Sequence, residues 1–202
     1  MPRSKTERNS EIEIAGPRVV LRRLTDDDVA AVEPWYAEAA AAVHGLRRQD
    51  ASGVQNRSTG SGQALYHQLE APRSGAKGGL LVIARRKDST PIGLLDYRAD
   101  DPAPGWLSVG FVALAEEQRG WGYGSEAVRL LEAEARRRWR RRCIGAKVDL
   151  RNGLGLYFWL RLGYRPTVPV ERPCASGGGE DVIWMIRRSR RSPRPVACYT
   201  PR

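Results

Sequence analysis

The run Arg119-Gly120-Trp121-Gly122-Tyr123-Gly124-Ser125 stands between an apolar stretch, Trp106 to Leu114, and an amphipathic stretch that starts at Ser125. Glycine at alternate positions strips the main chain of side chains where an extended segment turns into a helix. Several N–H groups are then bare at the positive end of the helix dipole. Such a junction receives phosphate or diphosphate without a lysine. Counting tests two familiar loops. A P-loop requires Lys-Ser or Lys-Thr after its glycines, and the one Lys-Thr pair, Lys5-Thr6, has no glycine before it. A dinucleotide fingerprint counted from Gly120 meets Ser125 at its third glycine. Counted from Gly122 it meets Ala127, the looser form, with no βαβ unit upstream.

Periodicity places the other elements. Arg18 to Leu24 reads as a strand, and Thr25 with Asp28 as the cap of an alanine-rich helix that runs to about Val43 and carries Pro34. A short helix is expected around Gln63 to Glu70. Leu80 to Ala84, Pro91 to Arg98 and Trp106 to Leu114 read as strands, with a hairpin turn over Lys87 to Thr90. Val128, Leu131, Ala135 and Trp139 form a helical apolar stripe, and Glu132–Arg136 and Glu134–Arg138 are i,i+4 ion pairs. Cys143 to Leu150 is a strand and Asn152 to Leu162 a helix stopped by Gly163. Tyr164 to Val170 and Asp181 to Ile186 are a last strand pair. Strands and helices alternate only in part, so the expected fold is α/β, a mixed sheet with helices on both faces.

The pattern Arg119-x-x-Gly122-x-Gly124, after a strand and before a helix, resembles the coenzyme A loop of the GCN5-related N-acetyltransferases (GNAT). A second block, Asn152-x-x-Gly155-x-x-Phe158-Trp159-x-x-x-Gly163-Tyr164, resembles the family's later motif at about the family's separation. Val20 to Asp28 is similar to its opening strand and helix cap. The resemblance spans about residues 18–187. It implies a central, mostly antiparallel twisted sheet with a splayed parallel strand pair, and acetyl transfer from acetyl-CoA to an amine. It implies a diphosphate on the amides of Gly120, Gly122, Tyr123, Gly124 and Ser125 beside Arg119. The pantetheine would run along Val112 and Leu114, with Asn152 and Trp159 also on the cofactor side. Amides of this region would stabilise the developing oxyanion.

Two departures concern the chemistry. The position of the family's thiolate-protonating tyrosine holds Trp159; Tyr157, two residues earlier, lies about 200° round the helix and is expected to face elsewhere. The position of a frequent glutamate base holds Val109, between Ser108 and Gly110. Three accounts are open. The acceptor amine needs little help, or water relays its proton to a remote carboxylate such as Asp96 or Glu117, or catalysis is weak or lost. Asp96, on the strand beside the cofactor strand, is the preferred base. The acceptor pocket is expected from residues 36–78 and 171–180, and neither His44 nor His67 is given a role.

A small-molecule or peptide amine is the expected acceptor. The alternative is a non-catalytic CoA-binding module, RNA- or ribosome-associated through its arginines. Of the net charge of +11, the stretch from Arg187 to Arg202 contributes +6 from six arginines with no acid. The organisation expected is therefore a flexible segment 1–16, an N-acetyltransferase domain 17–187 and a basic, disordered tail 188–202. Six arginines flank Trp139 between Arg136 and Arg142, and a solvated helix end is preferred there over a nucleic-acid patch. No apolar run approaches the ~20 residues of a membrane span. Three widely spaced cysteines suggest neither a disulfide framework nor a metal site, and the cytoplasm is the expected compartment. A homodimer is compatible with all of this.

Overall fold

The alternating apolar runs build one eight-stranded sheet. The computed structural model describes residues 13–47, 77–167 and 182–188. The helix expected near Gln63, most of the acceptor segments, His67 and the tail beyond Arg188 lie outside them. The strands are β1 (Ile14–Ala15), β2 (Val19–Arg23), β3 (Lys77–Arg85), β4 (Pro91–Ala99), β5 (Trp106–Leu114), β6 (Cys143–Asp149), β7 (Arg165–Thr167) and β8 (Val182–Arg188). The helices are α1 (Val29–Arg47), α2 (Tyr123–Arg137) and α3 (Gly153–Arg161). The sheet order is β1-β2-β3-β4-β5-β6-β8-β7, and β5–β6 is its parallel pair. The expected fold class therefore holds.

The two faces of the sheet carry separate apolar clusters. Val19, Leu21, Ile83, Leu95, Leu107, Val109 and Ile144 are buried against Val128, Leu131 and Ala135 of α2. Leu24, Val82, Ala84 and Leu94 are buried against Val32 of α1. Burying each of the larger aliphatic side chains contributes roughly 1.5–3 kcal/mol. Thr25 caps a 3-10 turn, Asp26–Asp28, that leads directly into α1. The Asp28 carboxylate accepts from the Thr25 N–H (2.9 Å) and pairs two-pronged with Arg22 (2.6 and 2.8 Å). Burial alone would raise that carboxyl, but the bonds from Arg22 and Thr25 outweigh it and hold it below its ordinary value.

Several boundaries differ from expectation: β3 begins at Lys77 and α1 runs to Arg47, and two further differences concern α2 and the sheet edge. Helix α2 starts at Tyr123, two residues before Ser125, because Gly122 takes the cap position in a left-handed conformation (φ +85°) that serine would resist. Ile14–Ala15 pairs with β2, so residues inside the segment expected to be flexible belong to the sheet edge. The arginine cluster is largely matched by acids. Arg136 faces Glu132 (3.6 Å), Arg137 and Arg138 face Glu134 (2.9 and 3.4 Å), and Arg141 Nη2 donates to Asp100 (3.0 Å). That arrangement accords with the helix-end reading.

Candidate active site

Strands β5 and β6 pair only over Trp106–Val109 and Cys143–Ala146. Beyond that point they part, while β5 stays bonded to β4 as far as Leu114. Among the described residues, the edge of residues 110–114 that faces β6 is thereby left without a strand partner in the ladder. The parting coincides with a bulge. Asp96 pairs with Phe111 and Tyr97 with Val109, so Gly110 is the extra residue of β5.

The glycine-rich run closes the top of this opening. Gly120 and Gly122 have φ of +83° and +85°, a region that only glycine enters cheaply. A Cβ on Gly120 would meet nothing within 4 Å, so conformation and not crowding demands the glycine there. The ladder of α2 begins with the Glu126 N–H donating to the Gly122 carbonyl (3.0 Å). The N–H groups of Tyr123, Gly124 and Ser125 precede it and have no partner within the helix. A Cβ on Gly124 would stand 3.5 Å from both Val112 Cγ1 and Leu114 Cδ1 and 3.7 Å from Phe158 Cε2. Gly124 therefore packs close to Val112 and Leu114 of β5 and Phe158 of α3, and these side chains bound the candidate slot beneath the start of α2.

A negative charge sits in the first turn of α2, where it would compete with an anion. Glu126 is turned away from the slot and neutralised instead. Its carboxylate accepts from the N–H groups of Arg18 (2.7 Å) and Val19 (3.1 Å) and from Arg18 Nε (2.8 Å). Burial opposes its charge, but these bonds prevail and hold its carboxyl below the ordinary value. Arg18 also donates to the Trp121 carbonyl (3.0 Å) and lies 5.0 Å over the Tyr123 ring. Neither Arg18 nor Glu126 was legible as part of the site. They stand 108 residues apart, and only an acid in a first helical turn hinted at one of them.

The remaining predicted residues divide. Val112, Leu114, Gly120, Gly122, Tyr123, Gly124 and Ser125 come together at the slot. Arg119 stands beside it, but its guanidinium is held by the Leu114 carbonyl (3.0 Å) and Glu38 (2.8 Å). Asn152 caps α3, accepting from the Gly155 N–H (2.8 Å). A Cβ at Gly155 would stand 2.8 Å from the Asn152 amide, so a side chain there requires the Asn152 amide to shift. Trp159 points into the core, 6% exposed, with its ring 4.7 Å from that of Tyr164. Tyr157 is 58% exposed on the other side of α3. Phe158, which packs against the core cluster, is the aromatic ring of α3 that stands 3.7 Å from a Cβ on Gly124.

Asp96 lies on the opposite face of the sheet. Its partner Phe111 packs with the α1 cluster and against the Tyr36 ring (6.0 Å between centroids). The Asp96 carboxylate occupies the space that a side chain at Gly110 would need, which brings it over the bulge where β5 leaves β6. Arg98 stands 4.0 Å from it. Val109 is buried in the core, and the Ser108 hydroxyl is hydrogen-bonded to Asp101. Among the described residues no cluster of His, Cys, Asp and Glu could hold a metal, and no helix is long and apolar enough to cross a membrane.

Comparisons with known proteins agree with this fold. The Acetyltransferase (GNAT) domain family matches residues 18–163. No curated protein matches the sequence. Among solved structures, an acetyltransferase from Agrobacterium tumefaciens is 18% identical, covering 89% of this chain and 96% of its own, with a TM-score of 0.63. A GNAT-family acetyltransferase from Bacillus anthracis is 12% identical, covering 88% and 98%, with a TM-score of 0.65. A spermidine N-acetyltransferase from Vibrio cholerae, in complex with CoA and spermine, is 14% identical, covering 86% and 96%, with a TM-score of 0.61.

Proposed function

Since the chain belongs to the GNAT acetyltransferase family, we propose that it transfers an acetyl group from acetyl-CoA to the amine of a small molecule or peptide, by direct attack in a ternary complex. The observation that carries this is the slot: three N–H groups without helical partners above a groove floored by Val112 and Leu114. These donors suit a diphosphate, and the edge of residues 110–114, where Arg119 already holds the Leu114 carbonyl, suits an extended amide-bearing arm. Gly122, Tyr123, Gly124 and Ser125 would hold the diphosphate, and Phe158 would close the groove over the arm. Asn152, whose side-chain oxygen and carbonyl both accept N–H groups of α3, would shape the far lip by capping that helix. Acetyl-CoA supplies the activated acyl group.

The chain's own residues then divide the chemistry by face. The slot is on the α2 side of the sheet and Asp96 on the α1 side, with the open edge of β5 between them. An amine arriving over α1 would meet Asp96, which takes the proton that the amine must lose as its nitrogen bonds the acyl carbon. Main-chain N–H groups at the parting of β5 and β6 would receive the negative charge that grows on the carbonyl oxygen. Trp159, buried and without an acidic proton, leaves protonation of the departing thiolate to solvent.

A second reading, a CoA-binding module without catalysis, draws on Val109 and Trp159 standing where a base and an acid are expected. Release of free thiol from acetyl-CoA, measured across a panel of polyamines, aminoglycosides and peptide N-termini, separates the two. Acetyl transfer predicts at least one amine that accelerates release well above hydrolysis. Binding with no acceleration by any amine favours the second reading.

The loop supplies a further expectation. Gly122→Val places a β-branched residue at φ +85°, a strain of roughly 1–3 kcal/mol that the loop escapes only by rearranging. Acetyl-CoA affinity should fall about 10- to 100-fold, measured by calorimetry, as the amides lose their convergence. Gly124→Ala meets only ordinary contacts and should leave the melting temperature nearly unchanged.

A further inference from the structure

Trp121 is 69% exposed, although its main chain is anchored through its carbonyl. It stands between the two left-handed glycines, Gly120 and Gly122. Its carbonyl accepts from Arg18 Nη1 (3.0 Å), and Arg18 is itself held by Glu126 (2.8 Å) and lies over the Tyr123 ring. Such anchoring orients a residue, yet the indole it orients is left in water. A tryptophan ordinarily contributes to stability by burying its large ring. Here the ring is held out at the rim of the amide cluster, one residue before the helix cap. The neighbouring aromatic, Tyr123, is half-buried beneath Arg18, so Trp121 is the ring that this loop offers to a ligand.

A carrier whose diphosphate rests on the amides of Tyr123 to Ser125 has two ends. The acyl-bearing arm descends along Val112 and Leu114. The nucleoside end extends from the other phosphate, and Trp121 is the exposed ring beside these amides. We propose that the Trp121 indole stacks on the adenine of CoA, so that this loop binds the carrier by its base as well as by its diphosphate. The assignment rests on the acetyl-CoA reading above. It makes Trp121 a determinant of affinity for the nucleotide end and assigns it no part in acetyl transfer. Arg18 is a positioning residue, acting through the Trp121 carbonyl.

Calorimetric titrations of CoA, ADP and inorganic pyrophosphate into wild type, W121A and W121F test this. Base–aromatic stacking lost on truncation to alanine weakens binding by roughly 5- to 150-fold. W121A should lose that much affinity for CoA and for ADP. Its affinity for pyrophosphate, which has no base, should stay within about twofold of wild type, and W121F should keep most of the affinity for CoA. W121A that binds CoA as wild type does overturns the stacking while leaving the acetyl-CoA reading intact. So does W121A that loses pyrophosphate in equal measure, since the ring would then act only by shaping the loop. Wild type that binds neither CoA nor acetyl-CoA overturns the functional reading and the stacking together. Trp121 packs on nothing in the core, so melting curves of the variants should match wild type.

Discussion

Asp96→Asn is expected to reduce kcat by about 100- to 10,000-fold, the range associated with loss of a positioned proton acceptor. The KM for acetyl-CoA should change little, because the slot is on the other face of the sheet. The substitution is nearly isosteric, and the amide still fits the space above Gly110. It can no longer take a proton from the incoming amine. Steady-state kinetics with the best acceptor of the panel checks both numbers. Gly110→Ala is the companion variant. Its methyl competes for the space of the Asp96 carboxylate, so turnover should fall although Asp96 itself is unchanged. Unaltered turnover in Asp96→Asn would remove the base from this account and leave the amine to lose its proton to water.

Glu132→Ala is expected to destabilise the fold by about 3 kcal/mol, a drop in Tm of roughly 6–12 °C for a chain of this size. Glu132 is 2% exposed at the middle of α2. Its Oε1 accepts from the Tyr164 hydroxyl (2.6 Å), and its Oε2 accepts from Arg187 of β8 (2.9 Å) and faces Arg136 (3.6 Å). One carboxylate thereby joins α2, the segment after α3, and β8. Removing it strands a wholly buried phenol without its acceptor, at about 1–3 kcal/mol, and leaves a cavity and two arginines without a counter-charge. The arginines are about a third exposed, so water recovers part of the loss and the upper end of the buried-pair range is not reached. Burial and then the neighbouring Glu132 charge push the Tyr164 phenol far above its ordinary value, so it remains a donor throughout the working pH range. Tyr164→Phe should therefore cost less than Glu132→Ala, since the carboxylate keeps both arginines. Thermal denaturation of the pair gives the ranking.

Local signals gave the sequence reading its reach. The strands β4 and β5, the hairpin between β3 and β4, the Thr25–Asp28 cap and the stop at Gly163 each depend on a few adjacent residues, and each was readable for that reason. The glycine pattern announced the bare amides of Tyr123 to Ser125. It did not announce where the helix begins, because a left-handed glycine cap competes with the ordinary preference for serine. What joins distant segments was hidden. Glu132 reads as one half of a surface i,i+4 pair with Arg136, and only the fold brings Tyr164 and Arg187 to its other oxygens. Asp96 was chosen for its strand, but its placement over the parting of β5 and β6 comes from a bulge at Gly110 that no local pattern encodes. Trp159, expected on the cofactor side, points into the core and Phe158 stands nearest Gly124, because their order on a short helix does not reveal which one meets α2.

The central claim is that the main-chain N–H groups at the start of α2 grip the diphosphate of acetyl-CoA. Amide-resolved NMR during a CoA titration tests it most directly. The account predicts that the largest shifts fall on Gly122, Tyr123, Gly124 and Ser125, with a second group along residues 110–114, and that pyrophosphate reproduces the first group alone. Saturable binding of CoA that leaves the amides of Tyr123, Gly124 and Ser125 unmoved would contradict it.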